Sequence, residues 1–127
     1  MKTEYKATIT KRLKSFVYAY NGIVYLFKSQ GNVTIHSIFA ALVFICGILL
    51  KLNIMEWCMI IFSIGFVFVT ETINTSIEQF IDFISPSYNV SAGRAKDLAA
   101  GAVLLAAITA ILIGLVIFIP KIVALIS

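Results

Sequence analysis

Glu71, Asn74, Glu78 and Asp82 stand three, four and four residues apart in the stretch Glu71-Thr72-Ile73-Asn74-Thr75-Ser76-Ile77-Glu78-Gln79-Phe80-Ile81-Asp82. An α-helix turns about 100° per residue, so steps of 3, 7 and 11 return to nearly the same side. The four side chains therefore form one polar stripe on a helix that is otherwise apolar. Three of the chain's six acidic residues lie in it. Carboxylates at the edge of a membrane span are costly unless they pair, bind a cation or take part in a reaction. Carboxylates plus an amide can hold Mg²⁺, which often shares its oxygen ligands with substrate phosphates. A carboxylate left over can act as general base toward a hydroxyl. Lys96 and Asp97 join the set, with Arg94 and a basic amino-terminal helix nearby; cations of this kind neutralise phosphate charge. The combination suits phosphoryl transfer, which needs mainly positioning and charge stabilisation. No Gly-rich loop of Walker or protein-kinase type is present, and Gly31 alone is no phosphate cradle. The plainer reading of the stripe is polar contact between packed helices.

The elements that must carry these residues are membrane elements. Of 127 residues, 61% are hydrophobic and 13% charged, with mean hydropathy +1.02. A soluble domain carries nearer a quarter charged residues. The expected fold class is all-α integral membrane: an amphipathic, interfacial amino-terminal helix and three transmembrane helices. One domain spans 1–127, with the interfacial helix at about 8–28 and spans at about 33–50, 54–74 and 98–119. Leu13, Phe16, Val17, Tyr20, Val24 and Phe27 recur at helical spacing in the first helix, which suits the interfacial plane. Residues 1–8 are expected to fray. Six of the ten basic residues precede the first span, which places the amino terminus on the cytoplasmic side against anionic lipid. Three spans then place the carboxyl terminus outside. The polar leader lacks the form of a cleaved signal peptide. Basic residues that border a span speak against a nucleic-acid role. Three spans enclose no large cavity, so a site of substantial size needs neighbouring subunits.

Counting about 20 residues from Ile54 brings the second span back to the cytoplasmic side near Thr72–Asn74. The stripe thus begins at the inner membrane edge, within reach of a soluble cosubstrate. Ser29-Gln30-Gly31-Asn32 and Ser85-Pro86-Ser87-Tyr88-Asn89 read as breaks, and Pro120-Lys121 is expected to close the third span. Ala102, Ala106, Ala110 and Gly114 form a small face for close helix approach. His36 is expected to be an interfacial polar residue, Glu56 a solvated outer charge and Asp82 either a surface or a site residue. Cys46 and Cys58 read as small membrane-facing or packing residues. The aromatic residues Phe16, Tyr18, Tyr20, Tyr25 and Phe27 read as lipid-facing or packing surface.

The motif Glu71-Thr-Ile-Asn74-Thr-Ser-Ile-Glu78, then Asp82, then Ala95-Lys96-Asp97-Leu-Ala-Ala-Gly-Ala-Val, resembles the signature of the prokaryotic diacylglycerol kinase and undecaprenol kinase family, the small membrane lipid kinases. Lys14-Ser15-Phe16 with Tyr18-Ala19 and Gly22 resembles the family's amino-terminal helix. Ile54-Met-Glu56-Trp57 and the closing Ile-Gly-Leu-Val-Ile-Phe-Ile-Pro-Lys look more like the undecaprenol kinase branch. The resemblance covers nearly the whole chain. It implies a homotrimer in the bacterial inner (cytoplasmic) membrane, with sites between subunits at the cytoplasmic face. It implies phosphorylation of a lipid alcohol, undecaprenol or diacylglycerol, with ATP as cosubstrate and Mg as cofactor. By the same resemblance Glu71 matches the general base and Glu78 a metal ligand. Asn74, Lys96, Asp97 and Tyr18 match nucleotide-side positions, and Lys14 and Gly22 substrate-binding ones.

The sequence departs from the family on the nucleotide and metal side. The family's turn after the first helix usually reads Thr-Glu-Arg-Asn, its Glu being a second metal ligand. Gln30 stands there and offers an amide oxygen without charge, a weaker partner for Mg²⁺. Asn21 and Gly31 replace commonly basic residues, and Lys11 replaces an Arg, which is no equal exchange for a bidentate phosphate contact. A second expectation follows: a catalytically impaired homologue that binds lipid or a partner protein. A third, a small ion or proton pathway, is disfavoured because span three carries no continuous polar stripe.

Overall fold

A computed structural model of the chain describes residues 2–29, 31–87 and 89–126, with side chains from Lys11 onward except Ser29. Four helices follow one another: α1 (Lys2–Ser29), α2 (Gly31–Leu49), α3 (Ile54–Ile84) and α4 (Val90–Ile126). The last three are long and apolar enough to cross a membrane. Large apolar side chains are exposed along all of them, Phe62, Leu105 and Val116 among them. In a soluble protein so much exposed apolar surface would drive association. In a bilayer it is the surface that lipid or another subunit covers.

α3 and α4 form the principal packed pair. The buried stripe of α3 is Ile60, Ser63, Val67, Glu71, Asn74 and Thr75. Ala99, Val103 and Ala106 form that of α4. Their small side chains allow the backbones to approach, as membrane helices require when lipid supplies no hydrophobic drive. The small face expected from Ala102 to Gly114 is thus only partly used: Ala106 is buried, while Ala102 is exposed. The packing seam runs one position over, through Ala99 and Val103.

α1 begins at Lys2, ahead of the expected start near Thr8, and residues 11–23 are exposed throughout. It is anchored at its far end, where Leu26 is buried and the Phe27 and Phe68 ring centroids lie 5.7 Å apart. Nearer its start, the apolar side of α1 is exposed in the single chain, Phe16 and Val17 included. α4 also exceeds expectation. It starts at Val90 and runs through Pro120 to Ile126 instead of closing there. Proline lacks the N–H that would bond the carbonyl four residues back, a loss membrane helices tolerate when neighbours or local adjustments compensate.

The α2–α3 turn is built in detail. Lys51 adopts φ 52°, the left-handed position that follows many helix ends. Leu52 N–H donates to the Gly47 carbonyl at 3.0 Å and Lys51 N–H to that of Ile48 at 3.2 Å. Asn53 then caps α3, its Oδ1 accepting from Glu56 N–H while Glu56 Oε2 accepts from Asn53 N–H at 2.7 Å. The same Glu56 oxygen lies 3.0 Å from Lys121 Nζ. Glu56 is therefore no free solvated charge: it caps α3 and ties its start to the end of α4.

Gly47 sits where Trp57 folds back over α2. A Cβ there would meet Trp57 Cη2 at 2.8 Å and Leu52 Cδ1 at 3.0 Å. Trp57 is also held against Phe44, centroids 5.4 Å apart, so it has little room to withdraw. Gly47→Val is expected to destabilise the fold by about 1–3 kcal/mol, the usual effect of overpacking. Thermal unfolding in detergent measures it; an unchanged midpoint would show that the turn yields.

Candidate functional site

The polar stripe continues the buried stripe of α3. Ile60, Ser63 and Val67 lead straight to Glu71 and Asn74 at the same helical spacing, so the seam that packs α3 also carries these two inward. Glu71 is 2% exposed and Asn74 7%. Glu78, one turn further on, is half-buried, and Asp82 is exposed. The stripe thus grades from a buried carboxylate to a solvated one over three turns. Glu71 and Glu78 are two turns apart, about 10 Å along the axis.

Each member has a different environment. Glu71 Oε1 lies 3.1 Å from Nε2 of His36, which α2 brings to it. Asn74 Nδ2 donates to Glu78 Oε1 at 3.1 Å. The other end of that amide, Asn74 Oδ1, is buried with no hydrogen-bond partner among the described residues. Thr75 Oγ1 is in the same condition. By contrast Ser63, Thr70, Thr72 and Ser76 all return their hydroxyls to carbonyls of the preceding turn. Buried polar atoms usually find partners, and Asn74 Oδ1 and Thr75 Oγ1 are the buried side-chain atoms of this stripe that have none among the described residues.

Asp82 is paired with Lys96 across the loop that joins α3 to α4. Lys96 is half-buried and Asp97, next to it, exposed. Both lie inside α4 and not on an approach to it, so a helix fixes their positions. Lys14, Tyr18 and Gly22 recur every four residues along one side of α1, and all three are exposed. Among the described residues no hydrogen bond or ion pair joins them to α3. The single chain therefore gathers Glu71, Asn74 and Glu78, sets Lys96 and Asp97 at the same end, and leaves Lys14, Tyr18 and Gly22 exposed. Gln30 lies outside the described residues.

Mg²⁺ typically takes one or two protein oxygens and completes its octahedron with waters and substrate phosphates. Glu78 supplies one carboxylate, and Asn74 Oδ1 a buried oxygen with a free lone pair. This donor set fits the ion. Among the described residues no group of three His, Cys, Asp or Glu forms a closed metal cage, which an ion shared with a nucleotide does not need.

His36 has a partner that sequence reasoning did not find: it is the direct neighbour of Glu71. A signal was available. His36 lies 17 residues before Asn53 and Glu71 18 after it. In an antiparallel helix pair, residues equally far from the turn are level with each other. A lone ionisable group within a span is itself a functional pointer.

The model of the prokaryotic diacylglycerol kinases matches residues 17–118, well over half of the chain. The chain belongs to the prokaryotic diacylglycerol kinase family. Among curated proteins an undecaprenol kinase from Bacillus subtilis is 40% identical over 118 residues, 93% of this chain and 96% of the relative. A diacylglycerol kinase from Synechocystis is 37% identical over 114 residues, 89% of this chain and 65% of the relative. The diacylglycerol kinase of Escherichia coli K12 is 26% identical over 103 residues, 81% of this chain and 84% of the relative. As a member of this diacylglycerol kinase family the protein is a membrane lipid kinase, an enzyme with a nucleotide cosubstrate. The matched span contains the whole stripe, Lys96, Asp97, Tyr18, Gly22 and His36; Lys14 and Lys121 fall outside it.

Proposed function

We propose that the protein transfers the γ-phosphoryl group of ATP to the hydroxyl of a membrane lipid alcohol, undecaprenol before diacylglycerol, with Glu71 as general base. The observation that carries this reading is the burial of Glu71 in the family-matched segment, at the head of a polar stripe that runs on toward solvent. A lipid hydroxyl approaches from the bilayer and a nucleotide from water, and the stripe spans that boundary. Glu71 accepts the hydroxyl proton as the oxygen attacks the γ-phosphorus. The bond to the β–γ bridging oxygen breaks, and ADP leaves.

Glu78 and Asn74 Oδ1 would hold Mg²⁺, which when bound neutralises charge on the phosphates. Asn74 positions Glu78 through its own amide N–H. Lys96 offers a cation to the phosphates and is kept in place by Asp82. Asp97 and Tyr18 serve the nucleotide, and Lys14 and Gly22 the lipid side. Because α1 leaves these last three residues exposed, a homotrimer in which α1 of one subunit closes the site of the next accounts for them best. The basic first helix favours a cytoplasmic amino terminus in the bacterial inner membrane. The identity to an undecaprenol kinase supports the choice of lipid.

Purified protein in mixed micelles with MgATP is expected to phosphorylate undecaprenol faster than diacylglycerol. Labelled phosphate in extracted lipid measures both. Product from neither, with the assembly intact by size-exclusion chromatography, would leave the impaired-homologue reading in its place.

A further inference from the structure

We infer that His36 is a positioning residue for Glu71: its Nε2–H holds one carboxylate oxygen and so aims the other at the lipid hydroxyl. This inference rests on the proposed role of Glu71 as base. Its own support is geometric. His36 and Glu71 come from different helices, meet at 3.1 Å, and their side chains are 23% and 3% exposed. An ionised carboxylate only accepts hydrogen bonds, so a base at position 71 requires the proton on Nε2. Asn74, the next polar residue on the same stripe, spends its N–H on Glu78. Among the described residues His36 is thus the one hydrogen-bond partner of the Glu71 side chain.

The arrangement has a chemical logic. A carboxylate held by no side chain can rotate among several orientations, and each one that turns the basic lone pair away from the substrate slows proton transfer. One charge-assisted hydrogen bond to Oε1 removes most of that freedom and leaves Oε2 to accept. It also lowers the cost of keeping a charge where water is scarce. α2 contacts α3 far less than α4 does, so the contact also registers α2 against α3 at the depth where the substrate must enter. A role in helix registration alone is the competing explanation, and the two separate by experiment.

The full chain is assayed with MgATP and, in parallel, undecaprenol and dioleoylglycerol as acceptors, for His36→Leu, His36→Gln, Glu71→Gln and the His36→Leu/Glu71→Gln double variant. Gln keeps an N–H donor near the place of Nε2; Leu removes it. With His36→Leu, kcat is expected to fall about 10- to 100-fold, the worth of one hydrogen bond to a charged group. KM for ATP stays unchanged, His36→Gln recovers most of kcat, and His36→Leu causes no further loss once Glu71 is Gln. The inference is overturned if His36→Leu retains kcat. It is equally overturned if His36→Gln is as slow as His36→Leu and both unfold at lower temperature, which marks a purely structural contact. Failure of the underlying reading looks different: there Glu71→Gln itself stays active.

Discussion

Glu71→Gln is expected to abolish most turnover and to leave the protein folded. The expected loss is about 10²- to 10⁴-fold in kcat, the range that a positioned general base contributes. The substitution is nearly isosteric, so the buried seam of Val67, Glu71 and Asn74 keeps its shape. The Gln amide oxygen can still accept from His36, so the α2–α3 contact survives. What disappears is basicity alone. Because Glu71 is 2% exposed, replacing a buried ionisable group by a neutral amide is expected to leave stability equal or raised, in line with the cost of burying charge. The measurement is phosphate transfer to lipid beside thermal unfolding of the same preparations. A variant that folds and loses activity fits a base. A variant that retains turnover within a few-fold means that the hydroxyl proton leaves by another route, and Glu71 is then packing.

The second large effect is expected at Glu78. Glu78→Gln should raise the Mg²⁺ concentration for half-maximal rate about 10- to 100-fold, the scale on which metal sites respond to loss of a supporting group. Asn74 Nδ2 can still donate to the new side chain, so the local helix geometry is kept and the loss is one of charge. Gln30→Glu is the reciprocal experiment. A carboxylate at this position, just ahead of α2, should lower the Mg²⁺ requirement, and in an impaired enzyme it should raise the maximal rate as well. An Mg²⁺ titration with native protein, Glu78→Gln and Gln30→Glu distinguishes these cases. Equal midpoints for all three would remove both residues from the metal site.

Much of this is legible in the amino-acid sequence. Apolar content and the absence of charge over long runs require membrane helices. Three such helices are present. The stripe of Glu71, Asn74, Glu78 and Asp82 follows from helical arithmetic alone, and the family follows from its motif. The order of burial along the stripe did not. Glu71 is hidden and Asp82 exposed because neighbouring helices cover the first part of the stripe, and coverage is a property of packed helices together.

Depth along the membrane can be counted from the sequence, since each helix rises about 1.5 Å per residue. That places His36 level with Glu71, and likewise Asp82 and Lys96, each seven residues from Asn89. Rotation about the helix axis cannot be counted in the same way. Spans that are apolar on every side carry almost no amphipathic signal to say which face turns inward. The tertiary structure decided those rotations. It turned His36 toward Glu71, engaged Lys96 with Asp82, and closed Glu56 onto Lys121 past a proline that was expected to end the helix. The sequence alone determined that a row of oxygen-bearing side chains lies along one side of a long apolar helix. Packing, through the small seam of α4 and the registration of α2, determined which of them is buried, which is held, and by what.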